Sequence, residues 1–62
     1  MTQKARIEYQ TQFGTWRSFT TVTVLGSNVN NALLRALALQ DCAGKARAVD
    51  AEDGSLLDVQ TA

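Results

Sequence analysis

The sequence contains no histidine and no proline, and it has a single cysteine, Cys42. Without histidine, the chain lacks the side chain that most often serves as a general base or metal ligand near neutral pH. A lone cysteine forms no internal disulfide and supplies one ligand where a structural zinc site takes four. Cys42 also falls near the predicted C-terminal end of a helix, where the helix dipole disfavours a thiolate. The sequence therefore predicts a protein that is not an enzyme, with no catalytic, cofactor-binding or metal-binding residues.

An excess of charge of either sign is also missing, because six basic and six acidic residues cancel. A protein dedicated to duplex DNA usually carries net positive charge, and an acidic DNA mimic is strongly negative, so neither class fits. The longest apolar run, residues 36–39, is far too short to span a bilayer or to form a signal peptide. We therefore expect a cytoplasmic protein without a membrane partner, of the kind that bacteria or phages encode.

The chain is short, with 62 residues, and this length predicts a single domain. A domain of this size buries only about 60% of the surface that its unfolded chain exposes. Its core supplies at most roughly 3–5 kcal/mol of net stability. Disulfides and zinc are excluded by composition, so oligomerisation is the remaining common source of additional stability. The size therefore favours self-association.

The first part of the chain predicts a hairpin of two strands, Lys4–Thr11 and Trp16–Val24. Apolar and polar residues alternate in the first strand, which is typical of a half-buried strand. The second strand is rich in β-branched and aromatic residues. A left-handed glycine in the turn would set Ile7 opposite Phe19, whereas an even-numbered loop would set Ile7 opposite Thr20. We favour the first register because it pairs two large apolar residues.

A helix is predicted over Ser27–Gly44, with Ser27 as its N-cap and Gly44 as the left-handed residue that ends it. Apolar residues recur at helical spacing on one face, which consists of Val29, Leu33, Ala36 and Leu37. The opposite face carries Asn28, Asn31, Arg35, Ala38, Leu39 and Cys42. Arg35 is the only charge on that face. Because surface helices normally turn several charges toward water, this pattern indicates that a partner covers the helix.

The last third of the chain predicts a second hairpin around the turn Glu52-Asp53-Gly54. The two acidic residues suit a type I turn, and the glycine suits the bulge position that follows it. In this register Val49 lies opposite Leu57, and Arg47 lies opposite Val59. We expect the three apolar residues of these pairs to point at the helix.

Together these elements predict an α+β fold in the order ββαββ, an antiparallel sheet of two hairpins with one helix packed on one face. The predicted core consists of Val29, Leu33, Leu37, Ile7, Phe19, Val49, Leu57 and Val59. The other face of the sheet has no covering element. We expect that face to carry Arg6, Glu8, Thr20, Asp50, Asp58, Trp16 and Leu56.

These features favour a small non-catalytic protein-interaction module that self-associates as a homodimer. Trp16 directly follows a turn, where full burial is difficult, and tryptophan is common at binding hot spots. The candidate interface residues are Trp16, Arg35, Ala38, Leu39 and Leu56. The alternative is a weak nucleic-acid-binding protein that uses basic residues and Trp16 on the sheet. The candidate nucleic-acid contacts are Arg6, Arg17, Lys45 and Arg47.

Overall fold

The computed structural model describes residues 2–62 and contains one helix and a single antiparallel sheet of four strands. The elements in chain order are β1 (Lys4–Thr11), β2 (Trp16–Thr23), α1 (Asn28–Leu37), β3 (Cys42–Asp50) and β4 (Leu56–Thr61). Helix α1 lies across one side of the sheet, where it packs mainly on β3 and β1. The predicted ββαββ order and the α+β class are therefore confirmed.

The strands are arranged β2-β1-β3-β4, so the first strand of each hairpin lies in the centre of the sheet. β1 and β3 pair antiparallel, with Ile7 opposite Ala48 and Tyr9 opposite Ala46. Directly opposed residues in neighbouring strands share a face of the sheet. The two alanines therefore lie on the same side as Ile7 and Tyr9, beneath α1. This long-range pairing joins the hairpins and decides which side of β3 the helix covers.

The core beneath α1 is built around Ile7 and Leu33, the largest fully buried side chains. The other buried members of this core are Ala5, Tyr9, Ala32, Ala36, Ala46 and Ala48. Alanine is small, so the helix can approach the sheet closely without leaving voids. The predicted core positions of Ile7 and Leu33 are confirmed. Phe19, Val29 and Leu37 are partly buried against this core.

The predicted orientation of the second hairpin is wrong. Arg47 does lie opposite Val59, but Val49 lies opposite Leu56, because Leu57 is an extra residue that shifts the register. Val49 is buried on the side away from α1, whereas Leu57 and Val59 are 38% and 43% exposed. The sequence argument selected the bulkiest apolar residues of these strands for the core. The space beneath the helix is instead filled by the alanines of β3.

The first hairpin agrees with the prediction near its turn and departs from it farther along. β1 spans the predicted residues, and Gly14 in the turn has the predicted left-handed conformation, with φ +86°. Beyond Ser18 the register shifts, so Ile7 lies opposite Thr20. The predicted pairing of Ile7 with Phe19 is therefore wrong. Phe19 is the extra residue of a β-bulge, a feature that bends a strand and re-aims its side chains.

Helix α1 ends at Leu37, well before the predicted end at Gly44. Residues 38–41 form a tight connection, and Cys42 already pairs with β1. Gly44 has the predicted positive φ, +89°, but it lies inside β3, where its carbonyl accepts a 2.8 Å hydrogen bond from the Ala62 N–H. Pairing with β1 and β4 satisfies the backbone groups of this segment, so tertiary contacts override the helical spacing of its side chains.

The start of α1 is close to the prediction, because Ser27 occupies the N-cap position. Its hydroxyl makes no capping bond to a helix amide, and instead accepts a 3.3 Å hydrogen bond from the side-chain amide of Asn31. The side-chain amide of Asn28 donates to the carbonyl of Thr23 at 3.2 Å. The helix is thus tied to the end of β2, although its first turn lacks a side-chain cap.

Candidate binding surface on the sheet

The side of the sheet opposite α1 is called the open face here, because residues 2–62 contain no second layer that packs on it. Strand alternation and the pairing registers decide which side chains it carries. From the two central strands these are Lys4, Arg6, Glu8, Gln10, Lys45, Arg47 and Val49. From the two edge strands they are Trp16, Ser18, Thr21, Thr23, Leu56, Val59 and Thr61.

A network of charges occupies the centre of the open face. The Glu8 carboxylate accepts hydrogen bonds from Nε of Arg47 at 2.8 Å and from Nε of Arg6 at 3.2 Å. The Glu8 side chain is only 13% exposed, while those of Arg6 and Arg47 are 42% and 34% exposed. The guanidinium of Arg47 also lies 4.1 Å from the centroid of the Trp16 ring, within cation–π range. Arg47 is therefore held from two sides and kept at the surface.

Apolar side chains border this network at the β4 edge. Val49 is almost fully buried and lies opposite Leu56, and Arg47 lies opposite Val59. Leu56 and Val59 are 61% and 43% exposed. The open face therefore places an exposed apolar strip beside charged residues, with Trp16 on the far edge strand.

The net neutrality of the chain conceals an uneven distribution of charge. The open face carries four cations, Lys4, Arg6, Lys45 and Arg47, and one anion, Glu8, for a net of +3. The other two cations and five anions lie outside it, for a net of −3. These residues are Arg17, Arg35, Asp41, Asp50, Glu52, Asp53 and Asp58. Composition alone does not reveal this separation of positive and negative charge, because the register of the strands decides on which face each charged side chain lies.

Three polar residues that were expected on the open face are on the side of α1. Asp50 lies opposite Ala5, Asp58 opposite Ala48, and Thr20 opposite Ile7. The partners of all three belong to the core beneath the helix. The prediction was wrong for the two aspartates because β3 has the opposite orientation, and for Thr20 because of the bulge at Phe19.

The candidate interface residues divide between the two sides of the molecule. Trp16 and Leu56 lie on the open face, whereas Arg35 and Ala38 are exposed on and just after α1. Leu39 does not lie on the helix surface, because the helix has ended and the side chain packs partly buried against the core. Sequence analysis missed Leu34, which is 51% exposed on the helix.

Three of the four candidate nucleic-acid contacts share one face, whereas the candidate interface residues are divided between two. Arg6, Lys45 and Arg47 share the open face. Arg17 does not, because it lies opposite Tyr9 on the side of the helix. Lys4, which alternates with Arg6 along β1, joins the three on the open face.

An exposed aromatic residue in the first turn was also missed. Phe13 is 94% exposed and precedes Trp16 by three positions, so both aromatics lie at the same end of the sheet. No role was predicted for Phe13 from the sequence. A turn needs glycine or small polar residues for its geometry, and a phenylalanine there has no such role. That mismatch was the available signal.

Cys42 and Asp50 have structural roles. The Cys42 thiol donates to the carbonyl of Lys45 at 3.6 Å and packs partly buried at the edge of the core. Asp50 accepts hydrogen bonds from the side-chain amide of Gln3 and from the N–H groups of Glu52 and Asp53. These bonds, that of Gln3 foremost, hold the pKa of Asp50 below its ordinary value of 3.8. Such contacts fix the geometry of the turn.

Neither a metal cluster nor a membrane span is formed by the part of the chain that the structure describes. No three side chains of metal-binding type are grouped so that they could hold an ion within residues 2–62. In the same range, no helix has the length and apolar character needed to cross a bilayer. The chain matches no protein-family model, no curated protein and no solved structure, so its function has to be argued from its own geometry and charge.

Proposed function

We propose that this protein is a small non-catalytic interaction module that binds its partner through the open face of the sheet. The observation that carries the proposal is the convergence of Trp16, a positioned Arg47 and the exposed Leu56 on a face that no element covers. Tryptophan and arginine are the residue types most enriched at binding hot spots. Exposed apolar side chains beside them supply the area whose burial favours association.

The open face is also organised before any partner arrives. Arg47 is held by the Glu8 carboxylate and the Trp16 ring, so part of the conformational entropy cost of ordering this long side chain is incurred during folding. Binding that reuses a positioned side chain loses less entropy than binding that must order a free one. The network therefore favours recognition by a fixed surface.

Self-association, the expectation from chain length, is the second candidate, and charge decides where it would occur. Two open faces stacked on each other would oppose a net charge of +3 to another +3, which disfavours that arrangement. The helix side carries a half-exposed Leu34 beside the single cation Arg35 and the small Ala38. A symmetric homodimer would therefore form through α1.

A pair of matched variants tests the use of the open face. Leu56→Asp and Leu34→Asp introduce the same charge at similarly exposed leucines on opposite sides of the molecule. We expect Leu56→Asp to abolish the retention of partners from a bacterial lysate by the immobilised protein, and Leu34→Asp to leave it unchanged. Retention that survives Leu56→Asp, with both variants folded by circular dichroism, would contradict the proposal.

Light scattering tests self-association separately. If α1 mediates a homodimer, the wild-type mass is that of two chains, Leu34→Asp is monomeric and Leu56→Asp remains dimeric. A monomeric wild-type mass at millimolar concentration would end the homodimer hypothesis and leave the open-face proposal standing.

A further inference from the structure

We infer that the ligand of the open face is a single-stranded nucleic acid, with phosphates on the cations of the central strands and a base on Trp16 at one end. This inference rests on the proposed function, because it names the partner class for the same surface. The total charge of the chain is zero, so the charge of the open face alone has to account for the attraction of phosphates.

Local charge, and not total charge, decides whether a surface attracts phosphates. At physiological salt the Debye length is about 8 Å, so charges on the far side of the molecule are largely screened from a ligand on the open face. Such a ligand meets four cations and one anion on the open face, with Asp50 and Glu52 beside Lys4 at its edge. The anion, Glu8, is 13% exposed between two arginines and offsets one of the four cations, which leaves a net of +3. The local field is therefore that of a basic protein.

The cations are spaced along the strands in a way that suits an extended backbone. Lys4 and Arg6 alternate along β1, and Lys45 and Arg47 alternate along the adjacent β3. Residues two apart on a strand are about 7 Å apart, and neighbouring strands are about 4.8 Å apart. The result is a band of positive charge along the centre of the sheet, rather than a single point of contact.

The Trp16 ring stands at the end of this band, and a second aromatic residue lies in the turn beyond it. Trp16 is partly exposed next to Arg47. Phe13, in the adjoining turn, is 94% exposed beside Arg17 and Asp41, which lie outside the open face. Bases stack on such rings regardless of sequence, and basic grooves lined with aromatics are how proteins bind single strands without base-specific hydrogen bonds. Trp16 is therefore the ring that a base would meet at the end of the band.

Duplex DNA and a second copy of this chain fit the surface less well. Duplex recognition usually places a helix or a two-stranded ribbon in the major groove. Helix α1 has a single cation, Arg35, and the open face belongs to a four-stranded sheet. A second copy would bring its own net charge of +3 to an open-face contact. A single strand suits both the positive charge and the Trp16 ring of the open face.

The test uses the full chain and fluorescein-labelled dT12 and U12 oligonucleotides in anisotropy titrations. If three phosphates are neutralised, the slope of log K against log salt is about −2, so affinity falls about 20-fold between 50 and 200 mM salt. The chain has one tryptophan, so quenching of its intrinsic fluorescence on binding reports directly on Trp16. We expect both signals to saturate together.

Two charge-neutralising variants make the test specific. Lys45 lies on the open face and takes part in neither ion pair of the central network, whereas Arg35 lies on the helix. Lys45→Gln should weaken binding at least threefold and reduce the salt slope by about 0.7, the share of one phosphate. Arg35→Gln should leave both quantities unchanged. Trp16→Ala, which removes the ring beside the band, should weaken binding about fivefold or more in the anisotropy titration.

The outcomes separate the inference from the proposed function. No oligonucleotide binding at 50 mM salt, or equal weakening by Lys45→Gln and Arg35→Gln, overturns the inference. If Leu56→Asp then still abolishes the capture of a protein from a lysate, the open-face module stands and its partner is a protein. If neither oligonucleotides nor proteins depend on the open face, both proposals fail.

Discussion

The two faces of the sheet differ in how their side chains are covered, although these side chains alternate along the same strands. On the side of α1, β3 contributes Ala46 and Ala48, and a close helix excludes water from them. On the open face, the same strand contributes Arg47 and Val49, and no helix covers them. Burial beneath the helix comes from close backbone approach. Burial of Val49 on the open face occurs without a second layer, among side chains that lie across the sheet.

This difference shows that side-chain volume is a poor guide to which face of a strand is covered. Valine is larger and more apolar than alanine, and it favours strands. The helix nevertheless packs on alanines, because each large side chain beneath α1 would push it away from the sheet, and Ile7 and Leu33 already fill the centre. In a closely packed core, the complementary shape of neighbouring side chains matters more than the hydrophobicity of any one side chain.

The largest expected effect tests the helix side. Leu33→Ala should lower the free energy of unfolding by about 2–5 kcal/mol, because it leaves a cavity at a fully buried site. A domain of this size has roughly that much stability in total, so the variant should be largely unfolded by circular dichroism. The control is Leu34→Ala, the half-exposed neighbour, which should melt close to the wild type. A folded Leu33→Ala protein would show that α1 is packed through a different face.

The next effect tests the orientation of the second hairpin. Val49→Ala should cost about 1.5 kcal/mol, the transfer free energy of the two carbon atoms removed from a buried site. Val59→Ala, on the same face but 43% exposed, should cost less than about half of that. Urea denaturation of the two variants measures the difference. Equal and large losses would support the orientation predicted from sequence, in which both valines face the helix.

A smaller effect tests the charge network of the open face. Glu8→Gln removes the anion shared by Arg6 and Arg47, and these arginines stay partly hydrated, so the stability cost should be about 1 kcal/mol or less. The loss should shrink in high salt, since screening weakens the pairs in the wild type. Glu52→Gln, in the exposed second turn, is the matched control and should change little. A loss that is independent of salt would assign Glu8 a packing role instead.

The smallest effect tests an acid on the other side of the sheet. The pKa of Asp50 is held below 3.8 by the Gln3 side chain and two backbone N–H groups. A lowered pKa in the folded state means that the ionised form stabilises the fold. The contribution is complete above pH 3.8 and is lost as the pH falls through the lower folded value. Wild-type urea midpoints should therefore drop between pH 6 and pH 3 by slightly more than those of Asp50→Asn. Identical drops in the urea midpoints of the two proteins would show that the ionised Asp50 carboxylate does not stabilise the fold.

Sequence patterns predicted local features well and face assignments poorly. The alternation of β1, the left-handed Gly14 and the core position of Leu33 follow from short-range rules of periodicity and turn geometry. The end of the helix and the face of the sheet on which Val49 lies could not be predicted from these rules, because both depend on pairing with distant strands. Of the candidate site, Trp16 and Leu56 were predicted on the correct face. Arg6 was also predicted there, whereas Lys45 and Arg47 were predicted as nucleic-acid contacts without a position on that face. The net charge of +3 on the open face was not predicted, because acids elsewhere in the chain cancel it.

The sequence by itself determined the order ββαββ, the absence of histidine and disulfide chemistry, and the positions of the turns, since these depend on residue type and local spacing. Only the tertiary structure decided that β1 pairs with β3, that alanines lie under the helix, and that four cations share one face. The physical reason is the two-residue period of a strand. A shift of one residue moves every side chain to the other face, so bulges at Phe19 and Leu57 and the pairing of two hairpins outweigh any single side chain's preference.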